Sequence, residues 1–311
     1  MSKRPRIFIA GHDRMMIGAF KRALASCGCG DTVTGAVRGL ELTDQAGVRR
    51  FFRREKPNVV ILTSVGSGGI MANIKRPAEF IYSNLQAECN VIMAAHENRA
   101  KKLLFLASSC AYPKDAPQPM KEGYLLSGRP EPTSEAFAVA KIAGIKLCEY
   151  FNRQYGQAFF SVIPATAFGP YDDFGEGSSH VVPGLIRRIH LAGKSKSPSV
   201  SVWGSGRQRR EFIYADYLAE ACVFLLSLRR PPHLVNVGTG KDISIRELAE
   251  LIKKKAGYTG NLKFDSKKPE GASRKLLDVS LLRSLGWRKR HGFDEAIERT
   301  CEWFANRHRS I

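Results

Sequence analysis

Ile7-Phe8-Ile9-Ala10-Gly11-His12-Asp13-Arg14-Met15-Met16-Ile17-Gly18 is the stretch that decides the fold. Its first four residues are an unbroken apolar run, the pattern of a strand buried on both faces. A glycine follows at once, and a helix-period pattern occupies about 15–27. Outward from there the same apolar run recurs at Val59-Val60-Ile61-Leu62, at KLLFL over 102–106 and at FFSVI over 159–163. Helical patterns over about 45–55, 76–98 and 134–155 separate these runs. Apolar strands alternating with helices predict a parallel sheet covered on both faces, with ligands beyond the carboxyl ends of the strands.

The rhythm breaks beyond about 165. Gly, Pro, Ser and Asp punctuate 169–180 and 193–206, then Val235-Asn236-Val237-Gly238 and a helical pattern at about 243–256 follow. Residues 262–280 read as loop-rich, and a last helix is expected near 293–307. The predicted architecture is therefore an α/β, Rossmann-type doubly wound parallel sheet with a smaller irregular α/β carboxyl-terminal lobe for substrate. Residues 1–165 form the dinucleotide-binding domain, with later segments returning to it, and 166–311 are mainly the substrate lobe.

Composition narrows the function. With 311 residues, 43% hydrophobic and 25% charged, the chain is long and apolar enough for a sizeable core, which excludes a disordered or fibrous protein. No apolar run approaches the roughly 20 residues that span a bilayer, and no secretory signal pattern opens the sequence. Seven cysteines, an odd and scattered set, suit reduced thiols in a cytoplasm and offer no zinc-type spacing. The formal charge of +20 would attract phosphate-rich partners. The basic residues are dispersed and not interleaved with aromatics, so nucleic-acid binding is not expected.

Two places could carry chemistry. A strand, Gly11 and a helix are the setting in which backbone approaches a pyrophosphate at a helix N-terminus. Yet a G-x-x-G-x-x-G spacing finds Arg14 and Ile17 at its second and third positions, and Gly18 stands one residue late. The second place is the end of the 102–106 strand, where Ser108 and Cys110 sit at a sheet's catalytic edge. Phe137 and Lys141 lie four apart on one helical face, and His180 stands on a loop. Taken singly, the cysteine reads equally as buried filler and the histidine as a solvated side chain.

With these residues the chain resembles the extended short-chain dehydrogenase/reductase family, in the branch that epimerises and reduces GDP-4-keto-6-deoxy-D-mannose. The matching segments include IFIAGH, KLLFLASSCAYPK, EPTSEAFAVAKIAGIKLCEYFNRQYG, GSSHVVPGLIRR, VWGSGRQRREF, NVGTG and KPEGASRKLLD, in order from about 6 to 305. The resemblance implies that Cys110 and His180 are the acid/base pair acting at C3 and C5 of the sugar. It implies that Ser108 hydrogen-bonds the C4 oxygen and that Lys141 holds the nicotinamide ribose. It implies NADP(H) along Gly11, His12, Arg14, Gly18, Arg38, Lys141, Pro164 and Thr166, and a GDP-sugar held by Arg187, Trp203 and Arg210. A homodimer through the helices at about 76–98 and 134–155 is also implied.

The departures are as informative. Phe137 stands where the family has its catalytic tyrosine, and a phenyl ring can neither donate a proton nor form a tyrosinate. Asp13 replaces a basic residue, Val37 stands where arginine is common although Arg38 is adjacent, and Phe168 replaces a tyrosine. These changes gather on the cofactor and reduction side, while Cys110 and His180 are intact. Three readings follow: a full epimerase/reductase with Phe137 compensated by water or Tyr112, an epimerase alone, or a non-catalytic GDP-sugar-binding relative.

Overall fold

The computed structural model describes residues 5–29, 32–34, 40–66, 68–268, 271–288 and 292–308. Strand β1 (Ile7–Ala10), the short β2 (Thr32–Thr34), β3 (Val59–Leu62), β4 (Lys102–Leu106) and β5 (Phe159–Pro164) are parallel. Between them run helices α1 (Arg14–Ser26), α2 (Gln45–Glu55), α3 (Ile70–Lys75), α4 (Pro77–Glu97) and α5 (Glu135–Tyr155). The apolar runs are buried because helices lie on both faces. Phe8, Ile9, Ile61, Leu104 and Val162 are all fully inaccessible. Arg53 and Arg54 close the last turn of α2, and Lys253 to Lys255 close a later helix, where cations complement the negative end of the helix dipole.

The second half builds β6 (Thr166–Phe168), α6 (Val181–Lys194), β7 (Ser199–Trp203), β8 (Arg209–Tyr214), α7 (Ala215–Ser227), β9 (Leu234–Val237), β10 (Asp242–Ser244) and α8 (Ile245–Lys255). β11 (Asn261–Asp265), β12 (Arg274–Lys275), α9 (Ser280–Ser284) and α10 (Phe293–Arg307) follow. β9 returns beside β5, giving a six-stranded sheet in the order β2-β1-β3-β4-β5-β9. The order reverses at β1, which opens a crevice beyond the carboxyl ends of β1 and β3. A second sheet runs β10-β8-β12 with β6 beside β8, and β7 pairs with β11.

One expectation needs correcting. Residues 262–280 are not simply loop: β11 and β12 lie there, and their alternating exposed and half-buried side chains leave no continuous apolar run to betray them. Val235–Val237, by contrast, are a later segment that returns to the main sheet.

One residue joins the two sheets. Glu211 of β8, buried, accepts backbone N–H groups from Thr239 (2.5 Å) and Gly240 (2.6 Å) after β9 and from Leu277 (2.8 Å) just after β12. A carboxylate has enough lone pairs to accept all three.

Candidate active site

The chain turns sharply where β4 ends. Ser108 caps the short 3-10 turn Ser109–Ala111, its Oγ accepting the N–H of Cys110 at 3.2 Å. This fixes Cys110, half-buried, against a small cluster of Ala72, Phe80 and Phe137. The rings of Phe80 and Phe137 meet edge to face, 6.4 Å apart at 83°.

Lys275 of β12 reaches the same thiol, its Nζ 3.8 Å from Cys110 Sγ. Burial disfavours a thiolate here. The Lys275 ammonium and the hydroxyls of Ser108 and Ser134 outweigh it and hold the thiol below its ordinary range. Arg210 lies near this charge and near Glu131; burial opposes its charge, and the sulfur and the carboxylate support it. Its guanidinium donates to the Arg209 carbonyl at 2.8 Å.

His180 is the N-cap residue of α6 and is half-buried. Burial pushes its imidazole towards the neutral form, partly opposed by the Asp173 carboxylate. The loop carrying it is clasped by the turn before α3. Gly69 N–H donates to Ser178 O at 3.0 Å, and a Cβ at Gly69 would come within 2.8 Å of Ser179 O. Because α3 also supplies Ala72 to the cluster under Cys110, one short helix touches the surroundings of both residues.

The helix α5 presents Phe137 and Lys141 on one face as its period requires, but Lys141 is turned inward. It is wholly inaccessible and pairs at 2.8 Å with Glu88 of α4, itself 2% exposed. Gly144, one turn on, makes room for this pair: a Cβ there would lie 2.5 Å from the Phe105 ring and 2.7 Å from Glu88 Oε2. The ammonium stands 5.2 Å from the Phe137 ring centre. Tyr112 offers no replacement phenol. It is buried, donates to Asn236 Oδ1 at 2.6 Å, and burial drives its acidity well below that of an ordinary phenol.

At the nucleotide end Gly11 has φ of +137°, and a Cβ on it would sit 1.9 Å from Thr63 Oγ1. Only glycine allows this approach of β1 to β3. Asp13 caps α1, its carboxylate accepting Met16 N–H at 3.0 Å. An acidic side chain therefore already occupies part of the helix end where a pyrophosphate would bind. Burial raises its pKa, and it adds to the burial that lifts Asp172 to about 8. His12 and Arg14 are exposed, Gly18 is half-buried inside α1, and Ile17 is buried. Pro164 ends β5 and Thr166 begins β6, while Arg38 and Val37 lie outside the described residues.

Arg187, Trp203 and Arg210 each have their own neighbours. Trp203 lines a groove of about 680 Å³ between α6 and β7, together with Arg188 and Lys194. Arg187 pairs with Glu176 at 3.5 Å, and Arg210 stands by Cys110. No cluster able to hold a metal ion occurs among the described residues, and among them no helix is long and apolar enough to cross a membrane.

Residues 10–238 match the sequence profile of the NAD dependent epimerase/dehydratase family. The chain belongs to that family. It is 47% identical to the GDP-L-fucose synthase of Escherichia coli (strain K12), over 98% of this chain and 97% of that one. Among solved structures it is similar to a GDP-6-OMe-4-keto-L-xylo-heptose reductase from C. jejuni, with a TM-score of 0.91, 33% identity and 99% of each chain covered. It is also similar to MlghC, a GDP-mannoheptose C4 reductase from Campylobacter jejuni with NADP bound, with a TM-score of 0.86, 33% identity, and 98% and 99% covered.

Within the family frame, four residues escaped sequence reading: Lys275, Glu88, Asp173 and Glu211. Lys275 lies 165 positions from Cys110 and Glu88 lies 53 from Lys141, so nothing local signals either pair. Asp173 carried a readable signal, an acidic residue in the loop leading to His180.

Proposed function

We propose that this chain acts on GDP-4-keto-6-deoxy-D-mannose in the manner of the GDP-L-fucose synthases, epimerising C3 and C5 efficiently and reducing C4 slowly. The observation that carries this reading is the Cys110 thiol, fixed by Ser108 and faced by an ammonium at 3.8 Å. A C–H next to the C4 ketone is weakly acidic. The Cys110 thiolate takes its proton, forming S–H, and the electron pair left on carbon delocalises onto the C4 oxygen. The Ser108 hydroxyl donates to that oxygen and stabilises the enolate. His180 delivers a proton to the opposite face of the ring, with Asp173 supporting its charged form.

NADP(H) supplies the hydride for C4 when bound. Gly11, Arg14 and Thr166 are the residues that would hold it, and the Gly11 approach fits, whereas Lys141 would reach it only by leaving Glu88. Asp13 on the end of α1 and Glu88 on Lys141 weaken that hold. Phe137 leaves the C4 oxygen without the phenol that would protonate it during reduction, and Tyr112 is committed elsewhere. Reduction is therefore the impaired half, which favours the epimerase reading over the complete one.

Arg187, Trp203 and Arg210 bind the GDP-sugar, with residues 166–311 forming most of the substrate lobe. Tyr82, Met93, Val139, Tyr150 and Tyr155 stand exposed on α4 and α5, which supports a homodimer packed through those helices. All seven thiols are free, which supports a reducing, cytoplasmic setting.

The test is incubation with GDP-4-keto-6-deoxy-D-mannose in D₂O, with and without NADPH. Deuterium entering C3 and C5 without matching NADPH consumption is expected. Rapid stoichiometric NADPH consumption would overturn the slow-reduction half, and no exchange at all would leave a binding protein.

A further inference from the structure

We propose that Lys275 is the positioning residue that makes Cys110 the base of the epimerisation, by holding its sulfur as a thiolate before substrate arrives. The inference rests on the reading of Cys110 given above and names the group that arms it.

The geometry sets Lys275 apart from every other group around the thiol. Its ammonium is 3.8 Å from Sγ. Ser108 and Ser134 contribute hydroxyls, which stabilise a thiolate without carrying charge. Arg210 of β8 is the other cation facing the sulfur, but its guanidinium is shared with the Arg209 carbonyl and with the field of Glu131. Lys275 also lines a small cavity with Ser109, Thr166 and Glu211. The Glu211 carboxylate there is engaged by the N–H groups of Thr239, Gly240 and Leu277.

The placement of Lys275 is fixed by backbone. β12 runs parallel to β8 with Lys275 opposite Arg210, and two residues later Leu277 is pinned to Glu211. The ammonium therefore reaches Cys110 from a short strand held in register on β8 and tied down again at Leu277. A point charge on a short span suits a soft sulfur anion and needs no bidentate geometry. When Cys110 takes the substrate proton it becomes a neutral thiol, and the negative charge moves to the C4 oxygen.

The proposal is tested on the free protein by following alkylation of Cys110 with iodoacetamide across pH, read on the Cys110 peptide by mass spectrometry. The exposed Cys27 and Cys89 serve as internal controls. In Lys275→Met and Lys275→Gln the Cys110 alkylation curve should move to higher pH, with at least a tenfold lower rate at pH 7. Lys275→Arg should restore most of it, and the control cysteines should not change. The limb of C3/C5 deuterium exchange that Cys110 governs should move to higher pH in step. Circular dichroism and the Cys148 peptide, buried in the core, report whether a variant has unfolded. Unchanged Cys110 titration in both folded neutral variants would overturn the proposal. Because the thiol titration needs no substrate, its outcome holds even if the proposed substrate proves wrong.

Discussion

Phe137→Tyr returns a phenol to the one position where family chemistry needs it and the sequence lacks it. A well-placed general acid contributes about 10²–10⁴ in rate, which is about 2.7–5.5 kcal/mol of barrier. The structure sets the expected gain near the lower end. The full effect needs an unneutralised cation beside the phenol, and Lys141 Nζ, 5.2 Å from the ring centre, is bound at 2.8 Å to Glu88. The new hydroxyl also enters a site 8% exposed among Ala72, Phe80 and Cys110. If it finds no partner there, it costs about 1–3 kcal/mol of stability. We therefore expect NADPH oxidation, followed at 340 nm with GDP-4-keto-6-deoxy-D-mannose, to rise by about a hundredfold, with the thermal midpoint lowered and C3/C5 exchange little changed. Nicotinamide fluorescence must show the cofactor bound in both proteins. Equal oxidation rates at saturating cofactor would refute the argument that the missing phenol limits reduction.

Lys141→Met should cost about 3–5 kcal/mol in urea unfolding, because it strands the buried Glu88 carboxylate, and Lys141→Met with Glu88→Leu should recover much of that loss. The rate of C3/C5 deuterium exchange should be bell-shaped in pH. It needs Cys110 deprotonated and His180 protonated, so it falls off on both sides of the interval between their two pKa values, each displaced below its group's ordinary value. Asp13→Asn keeps a good helix cap while removing a like charge from the phosphate site, so NADPH should bind tighter by about 1 kcal/mol, roughly fivefold, in a fluorescence titration.

The parallel sheet was readable because its longer strands are nearly continuous apolar runs, broken only by Lys102 at the start of β4, Ser161 in β5 and Asn236 in β9, and Ile7–Ala10 is buried along its whole length. β11 and β12 were not, since strands that bury one face or pair over two residues carry no such run. The candidate chemistry was equally divided. Ser108 and Cys110 could be placed because they follow a strand directly, and Phe137 with Lys141 because helical spacing puts them on one face. Their partners could not. The contact of Lys275 with Cys110 depends on the register of β12 against β8, and the pairing of Lys141 with Glu88 depends on how closely two helices approach at Gly144. Sequence periodicity places residues on a face; it does not tell which distant face will meet them.

The Lys141–Glu88 pair bears on how such chains are recognised at all. A lysine four positions after the tyrosine site is usually taken as a badge of hydride chemistry. Here the same lysine closes an internal charge that the fold cannot leave open, so selection for folding alone would preserve it long after any reductive duty had lapsed. In proteins built this way, the persistence of that lysine testifies to architecture, and only the residue at the tyrosine site speaks for the reaction.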